Sequence, residues 1–229
     1  LAKSELELNS DNASLADFLG RDDKSIDIFN KAKKYHYYHN SLQKSIRWGY
    51  WVPREPSKGV RINLNKKRAD GRNDFIIMSS NDYLGLSTNK SIFIKAYENV
   101  LNQKFHSPKA SMLVNGYNQI HKDFEEKLCS TNSFEAGITV GSGFLANISL
   151  IEALCRKNDT LFIDEEYHAS GILATKLLKP EQVIIFKHND YEDLEKKFLK
   201  NKRVGRNIIA IEGVYSMGGD LAPFEIFEI

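Results

Sequence analysis

The feature that most limits the fold is an alternation of two periods in the second half of the chain. Four short apolar runs, Gly137-Ile138-Thr139-Val140, Thr160-Leu161-Phe162-Ile163, Val183-Ile184-Ile185-Phe186 and Ile208-Ile209-Ala210-Ile211, are separated by segments of helical spacing at 144–155, 169–178 and 191–200. Apolar runs of this length suit strands buried on both faces, and a helix between successive strands makes each connection a right-handed crossover. The pattern predicts an α/β fold, a three-layer sandwich with helices on both faces of a mainly parallel sheet. Ahead of it, Ile120, Phe124 and Leu128 recur at i, i+4 and i+8, which predicts a helix over 117–129 whose apolar stripe faces that sheet.

The first half reads differently. Ile28, Phe29, Ala32 and Tyr35 predict a helix over 26–47, broken by Trp48-Gly49-Tyr50-Trp51-Val52-Pro53. Val60-Arg61-Ile62-Asn63-Leu64 and Phe75-Ile76-Ile77-Met78, on either side of the turn signal Asp70-Gly71, predict a hairpin. Three segments follow: a polar leader or linker at 1–25, an arm with a helix and β-ribbon at 26–105, and the α/β region at 106–229.

Composition narrows the classes. With 41% hydrophobic and 27% charged residues the 229-residue chain is ordinary for a soluble globular protein, and no apolar run is long enough to span a membrane. The start, Leu1-Ala2-Lys3-Ser4-Glu5, has no basic-then-apolar signal and no initiator Met, so the natural start is expected upstream. Cys129 and Cys155 have no metal-ligand neighbours, so neither a disulfide framework nor a metal site is expected, and a reducing cytoplasm fits. Net charge is +2, and the basic clusters at 66–68 and 200–203 are short, so a nucleic-acid partner is not expected.

Ligands of open parallel sheets bind beyond the carboxyl ends of the strands. At the first such edge, Gly141-Ser142-Gly143-Phe144 turns a strand into a helix, a place where backbone N–H groups and the helix dipole favour a phosphate, although a plain tight turn has the same look. The run Gly141 to Ala146 also fits G-x-G-x-x-G/A, with Asp164 about 20 residues on, the mark of a dinucleotide site in an oxidoreductase. At the second edge, Asp164-Glu165-Glu166-Tyr167-His168-Ala169-Ser170 offers an imidazole that can stack on a flat ring or bond a carboxylate. The third, Glu212-Gly213-Val214-Tyr215-Ser216-Met217-Gly218-Gly219-Asp220, is a glycine-rich loop with a free hydroxyl.

Taken in order, these edges resemble the α-oxoamine synthase group of pyridoxal-phosphate enzymes, which share the aspartate aminotransferase fold, type I. Ser79-Ser80-Asn81-Asp82-Tyr83-Leu84-Gly85-Leu86-Ser87 is similar to the group's entry segment, Ser142 to Asn147 to its phosphate turn, and the blocks at 167–170 and 212–220 to two further motifs. The resemblance implies an acyltransferase that condenses an amino acid with an acyl-CoA or acyl carrier protein thioester, with loss of carbon dioxide, and works as a homodimer. It implies pyridoxal 5'-phosphate as cofactor, held by Ser142, Gly143 and Phe144. His168 would stack on the cofactor ring and be the catalytic side chain; Glu212 and Ser216 would support the cofactor; Asn81 and His168 would bind the amino-acid carboxylate. Residues 106–229 would then be the first half of the cofactor-binding domain. Met112 stands where the group carries an arginine. A dinucleotide-dependent oxidoreductase and a non-catalytic or split subunit are the alternatives. The lysine that carries the cofactor and the acid that faces its ring nitrogen are expected outside residues 1–229, since Lys176, Lys179 and Lys187 sit in no sequence resembling the family's lysine loop.

Overall fold

The computed structural model describes residues 27–45, 61–63, 71–72, 74–102, 109–223 and 225–226. The chain divides into two units, Leu1–Ser107 and Pro108–Ile229. In the first, helix α1 (Ile28–Ser45) buries Tyr38 and Leu42, one turn apart on a single face. Strand β1 (Arg61–Asn63) pairs antiparallel with β2 (Asp74–Ile76), placing Ile62 opposite Phe75, so the expected hairpin forms. Gly71 has φ +79°, a left-handed conformation that glycine takes without strain. Helix α2 (Lys90–Asn102) follows. The polar leader, the break at 48–53 and most of the hairpin turn lie outside the described residues.

The second unit opens with helix α3 (Gln119–Asn132), started by a reciprocal cap: Asn118 Oδ1 accepts the His121 amide, and His121 Nδ1 accepts the Asn118 amide. Helix α4 (Gly143–Leu154), strand β3 (Thr160–Asp164), helix α5 (Ala169–Thr175), strand β4 (Val183–Phe186), helix α6 (Tyr191–Lys200) and strand β5 (Asn207–Ala210) come next. The strands form one parallel sheet in the order β4-β3-β5. Helix α5 ends ahead of the expected 178, where Lys176, Leu177 and Leu178 make three-residue turns before Pro180.

Every residue of β3 is buried, and alternation sends its side chains to two cores. Leu161 and Ile163 pack with Ile151 and Cys155 at the end of α4 and Ala174 of α5. Phe162 points the other way, onto Phe186, Leu194 of α6 and Ile226. The strand order explains the two layers. The chain moves from β3 outward to β4 and then back across β3 to β5, so crossovers of one hand must leave α5 and α6 on opposite faces.

Two expectations fail. Residues 136–140 join no ladder among the described residues; the Thr139 amide donates instead to Glu125 Oε1 at 2.6 Å, and Ile138 is exposed. An apolar run becomes a strand only beside a neighbour that supplies its hydrogen bonds. The stripe Ile120, Phe124 and Leu128 of α3 is exposed too, because the sheet's two faces are taken by α4 with α5 and by α6. Since Phe162 is fully buried between β4 and α6, Phe162→Ala should lower the unfolding free energy of the complete protein by about 3–5 kcal/mol, read from denaturant titration.

Candidate active site

Strand β3 feeds α5 on one face of the sheet, whereas β4 and β5 lead to α6 and Ile226 on the other. On each side of β3 the connections therefore part to opposite faces, and crevices of this kind at strand carboxyl ends are where open α/β sheets take ligands. One crevice, between β3 and β5, brings together the turn at 142–144, His168 and Glu212. The other, between β3 and β4, is closed by the protein's own charged groups.

At the start of α4, Ser142 is the N-cap: its Oγ accepts the Leu145 amide at 3.2 Å and its carbonyl accepts the Ala146 amide at 3.0 Å. The amides of Gly143 and Phe144 make no hydrogen bond among the described residues. A Cβ on Gly143 would meet no atom within 4 Å, so the chain's own packing does not require glycine there. A 12-residue helix with two unsatisfied amides and an open flank can bind an anion.

His168 lies beside this turn, its ring edge-on to Phe144 with centroids 6.2 Å apart. It caps α5, and its Nδ1 accepts the Ser170 amide at 3.2 Å and sits 2.7 Å from Ser170 Oγ. Asn147 Nδ2 donates to the same Oγ at 2.9 Å. An amide only donates, so Nδ1 carries a lone pair and the neutral ring bears its proton on Nε2. The chain Asn147 to Ser170 to His168 thus presents a fixed N–H donor. Glu212, after β5, accepts the His168 backbone amide at 2.6 Å and ties the two loops across the crevice. Gly171 lets the Tyr167 ring lie against α5, since a Cβ there would stand 2.2 Å from that ring. Burial first, then the charge of Glu212, pushes the Tyr167 phenol up.

The loop after β5 folds back on itself. Val214 and Leu221 form a bridge, the Tyr215 amide donates to the Asp220 carbonyl at 2.9 Å, and Gly219, at φ +77°, donates to the Tyr215 carbonyl at 2.7 Å. Tyr215 is buried at its root and Ser216 is exposed near its tip. The root reaches past β3 to the end of β4, where Asp220 Oδ2 lies 2.7 Å from His188 Nε2 and accepts from Asn189 Nδ2 at 2.6 Å.

Asp164 decides against the dinucleotide alternative. Its carboxylate is fully buried and accepts from the Glu166 amide at 2.8 Å, the Asn189 amide at 3.0 Å and His188 Nδ1 at 2.9 Å. Burial opposes its charge, yet the Asn189 amide, the His188 ring and the Glu166 amide outweigh that and hold its carboxyl below the ordinary value. An acid so used cannot take a ribose hydroxyl. His188, Asn189, Ser170 and Asn147 went unnoticed as candidates in the sequence, although His188 and Asn189 follow a strand end just as His168 does.

In the first unit, the segment bearing Asn81 is a turn built on Asp82. The Asp82 amide donates to Ser80 Oγ at 3.0 Å, its carboxylate accepts the Ser87 amide and hydroxyl, and Gly85, at φ +65°, donates to the Asp82 carbonyl at 3.0 Å. The Ser87 hydroxyl holds the Asp82 carboxyl below its ordinary value. Asn81 itself is exposed. In the second unit Met112 opens a wide turn closed by the Gly116 amide on the Ser111 carbonyl at 2.8 Å.

The hydrogen-bond chain through Ser170 is testable by 15N-histidine spectroscopy of the complete protein. In the neutral His168 ring, Nε2 should show a pyrrole-type and Nδ1 a pyridine-type shift, and Ser170→Ala, which keeps the backbone amide on Nδ1, should preserve that order; the reverse order would overturn the assignment.

The family described as aminotransferase class I and II matches residues 73–228. The 8-amino-7-oxononanoate synthase of Helicobacter pylori strain J99 is 50% identical over 151 residues, which cover 66% of this chain and 40% of that protein. The 8-amino-7-oxononanoate synthase 2 of Bacillus subtilis is 34% identical over 182 residues, 76% of this chain and 46% of its own length. The chain thus spans less than half of these curated relatives. Among solved structures, serine palmitoyltransferase from S. paucimobilis with bound PLP–myriocin aldimine superposes with a TM-score of 0.75 at 25% identity, covering 89% of this chain and 50% of that one. With its parallel sheet, its four ordered sequence blocks and these relatives, the chain belongs to the aminotransferase class I and II family, fold type I, and within it to the α-oxoamine synthases.

Proposed function

We propose that this chain is part of a pyridoxal 5'-phosphate-dependent C-acyltransferase that joins an amino acid to an acyl thioester, releasing carbon dioxide and leaving an α-oxoamine. One observation carries the reading: a ring fixed as an Nε2–H donor lies beside a helix N-terminus with two unpaired amides, at one sheet crevice. The names of the relatives and the PLP of the solved neighbour support it. Residues 106–229 act in this reading as the first half of the cofactor-binding domain, and the segments before 106 as leader and arm.

The donor set fits the cofactor. The Gly143 and Phe144 amides, with the Ser142 cap fixing their direction, hold the phosphate, and the open flank of Gly143 lets it approach the backbone. His168 would lie against the cofactor's ring, and its Nε2–H would donate to the amino-acid carboxylate and so fix the orientation of the bond to be broken. Glu212 holds the His168 backbone in place, and Ser216 offers its hydroxyl from the loop tip. Asn81 is the second group for the carboxylate. When bound, the cofactor serves as the electron sink for the carbanion at Cα. The acyl donor is a coenzyme A or carrier-protein thioester, the assembly a homodimer and the compartment the cytoplasm; no described helix is long and apolar enough to cross a membrane.

Adding the cofactor to the complete protein should give a visible absorbance band that shifts with glycine, serine or alanine, and thiol should be released when an acyl thioester follows; no band with any amino acid would refute the reading. His168→Ala should fold, bind cofactor less tightly and lose about 100-fold or more in turnover, because orientation is lost with stacking. Asn81→Ala should raise the KM for the amino acid about 10-fold while leaving cofactor affinity nearly unchanged, the loss of one hydrogen bond to a charged group. Borohydride trapping and peptide mapping of the native protein should label a lysine outside residues 1–229.

A further inference from the structure

The crevice between β3 and β4 holds one imidazole between two carboxylates. His188 follows β4; its Nδ1 lies 2.9 Å from Asp164 Oδ1 and its Nε2 lies 2.7 Å from Asp220 Oδ2. A carboxylate oxygen accepts, and a neutral imidazole has a single N–H; Asn189 Nδ2, 3.3 Å from Nε2, makes its short bond of 2.6 Å to Asp220 Oδ2 instead, so a ring with a carboxylate at each nitrogen satisfies both only as an imidazolium. The remaining charged groups around it agree. Glu166, in the turn after β3, approaches Nε2 to 3.8 Å, and Glu165 accepts the His188 amide at 3.0 Å. From the loop after β5, the Tyr215 ring meets the imidazole edge-on with centroids 4.5 Å apart. On the α6 side, Asp193 is paired with Lys197 and takes the Lys187 amide, and no lysine of that helix comes within ion-pair distance of Asp164 or Asp220 among the described residues.

The link spans three elements. Asp164 ends β3, the strand that leads into His168, and Asp220 closes the loop that begins at Glu212 and carries Ser216. Asn189, at φ +52°, turns its amide onto Asp164 and its side chain onto Asp220, along the same path as the ring. Gly218 is confined by this link, since a Cβ there would stand 2.2 Å from Asp220 Oδ1.

We propose that His188 is a positioning residue which, as an imidazolium, buckles the loop at 212–221 to the end of β3, and that losing its proton loosens the groups this loop presents to the neighbouring crevice. The value of those groups to catalysis rests on the function proposed above; the buckle itself does not. Burial works against the charge on His188, but the hydrogen bonds to Asp164 and Asp220 outweigh it and raise the ring's pKa above its ordinary 6.5. With the folded value raised, the buckle is complete below 6.5 and is lost as pH rises through that higher value.

Hydrogen exchange on the complete protein reads the buckle without any turnover, through the Tyr215 and Gly219 amides that close the loop. After correction for intrinsic rates, protection of a peptide covering 214–221 should fall about 10-fold or more between about pH 6 and about pH 9, while a peptide from β3 stays unchanged. In His188→Gln the loop should exchange fast at every pH. Asp220→Asn should make protection independent of pH, because an amide can donate to Nε2 of the neutral ring while Nδ1–H still donates to Asp164. Protection in the unsubstituted protein that does not vary with pH, or equal protection in His188→Gln, would overturn the proposal. Should His188→Gln fail to fold, the unsubstituted protein and Asp220→Asn decide it. With cofactor present, His188→Gln should keep the absorbance band and lose about 10-fold in kcat with little change in KM. If no band forms in the unsubstituted protein, the functional reading fails and the exchange pattern still decides the buckle.

Discussion

A strand buried on both faces can carry charge only at its ends, and β3 ends in Asp164. Each of its residues is buried, so the carboxylate at the edge has no solvent to answer it and must be met by donors from neighbouring chain. Three arrive: the Glu166 amide from the turn that follows, the Asn189 amide, and the His188 ring from the end of β4. Meeting that requirement ties the β3 and β4 exits together. It also leaves the second nitrogen of His188 facing outward, where Asp220 captures the loop from β5. The arrangement of all three strand exits follows from the need to satisfy one buried charge.

The opposite crevice shows the complementary solution. There the groups are weakly polar or uncharged: two helix amides, an imidazole tuned by Ser170 and Asn147, and the edge of Phe144. Glu212 spends a carboxylate oxygen on the His168 backbone amide. A site lined by donors with little competing negative charge suits an anionic ligand, and concentrating the acids on the far side of β3 keeps it so. Parting of the connections on both sides of a single strand makes this separation possible, because each crevice is built from a different pair of loops.

Much of this was legible beforehand where local pattern and tertiary need coincide. The strand at 183–186 and the helix at 191–200 stand where their periodicity put them, and β3 extends its apolar run by one residue, Asp164. The run at 137–140 is a short apolar run like that of β3 but has no neighbour to pair with among the described residues, and nothing local to a strand reports whether a partner exists. The stripe of α3 failed for the same reason, since periodicity shows a face and not what covers it. Within the site, His168 was visible because it follows a strand end inside a known block. Asp164 fitted the dinucleotide alternative by spacing alone, because spacing from a glycine turn carries no information about burial.

His188 shows where reading by motif runs out. The residues after β4, Lys187-His188-Asn189-Asp190, occupy the same kind of edge as the three that drew attention, and the strand-end rule covers them equally. What sets His188 apart is three-dimensional: its two partners are 24 and 32 positions away and come from different loops. A residue whose role is to hold other loops makes its contacts far along the chain. It therefore leaves little local signature, whereas a residue that meets a ligand sits in a block shaped by that ligand. Positioning groups of this sort are found by asking which buried charge needs an answer, and then which side chain has a second donor left over to share.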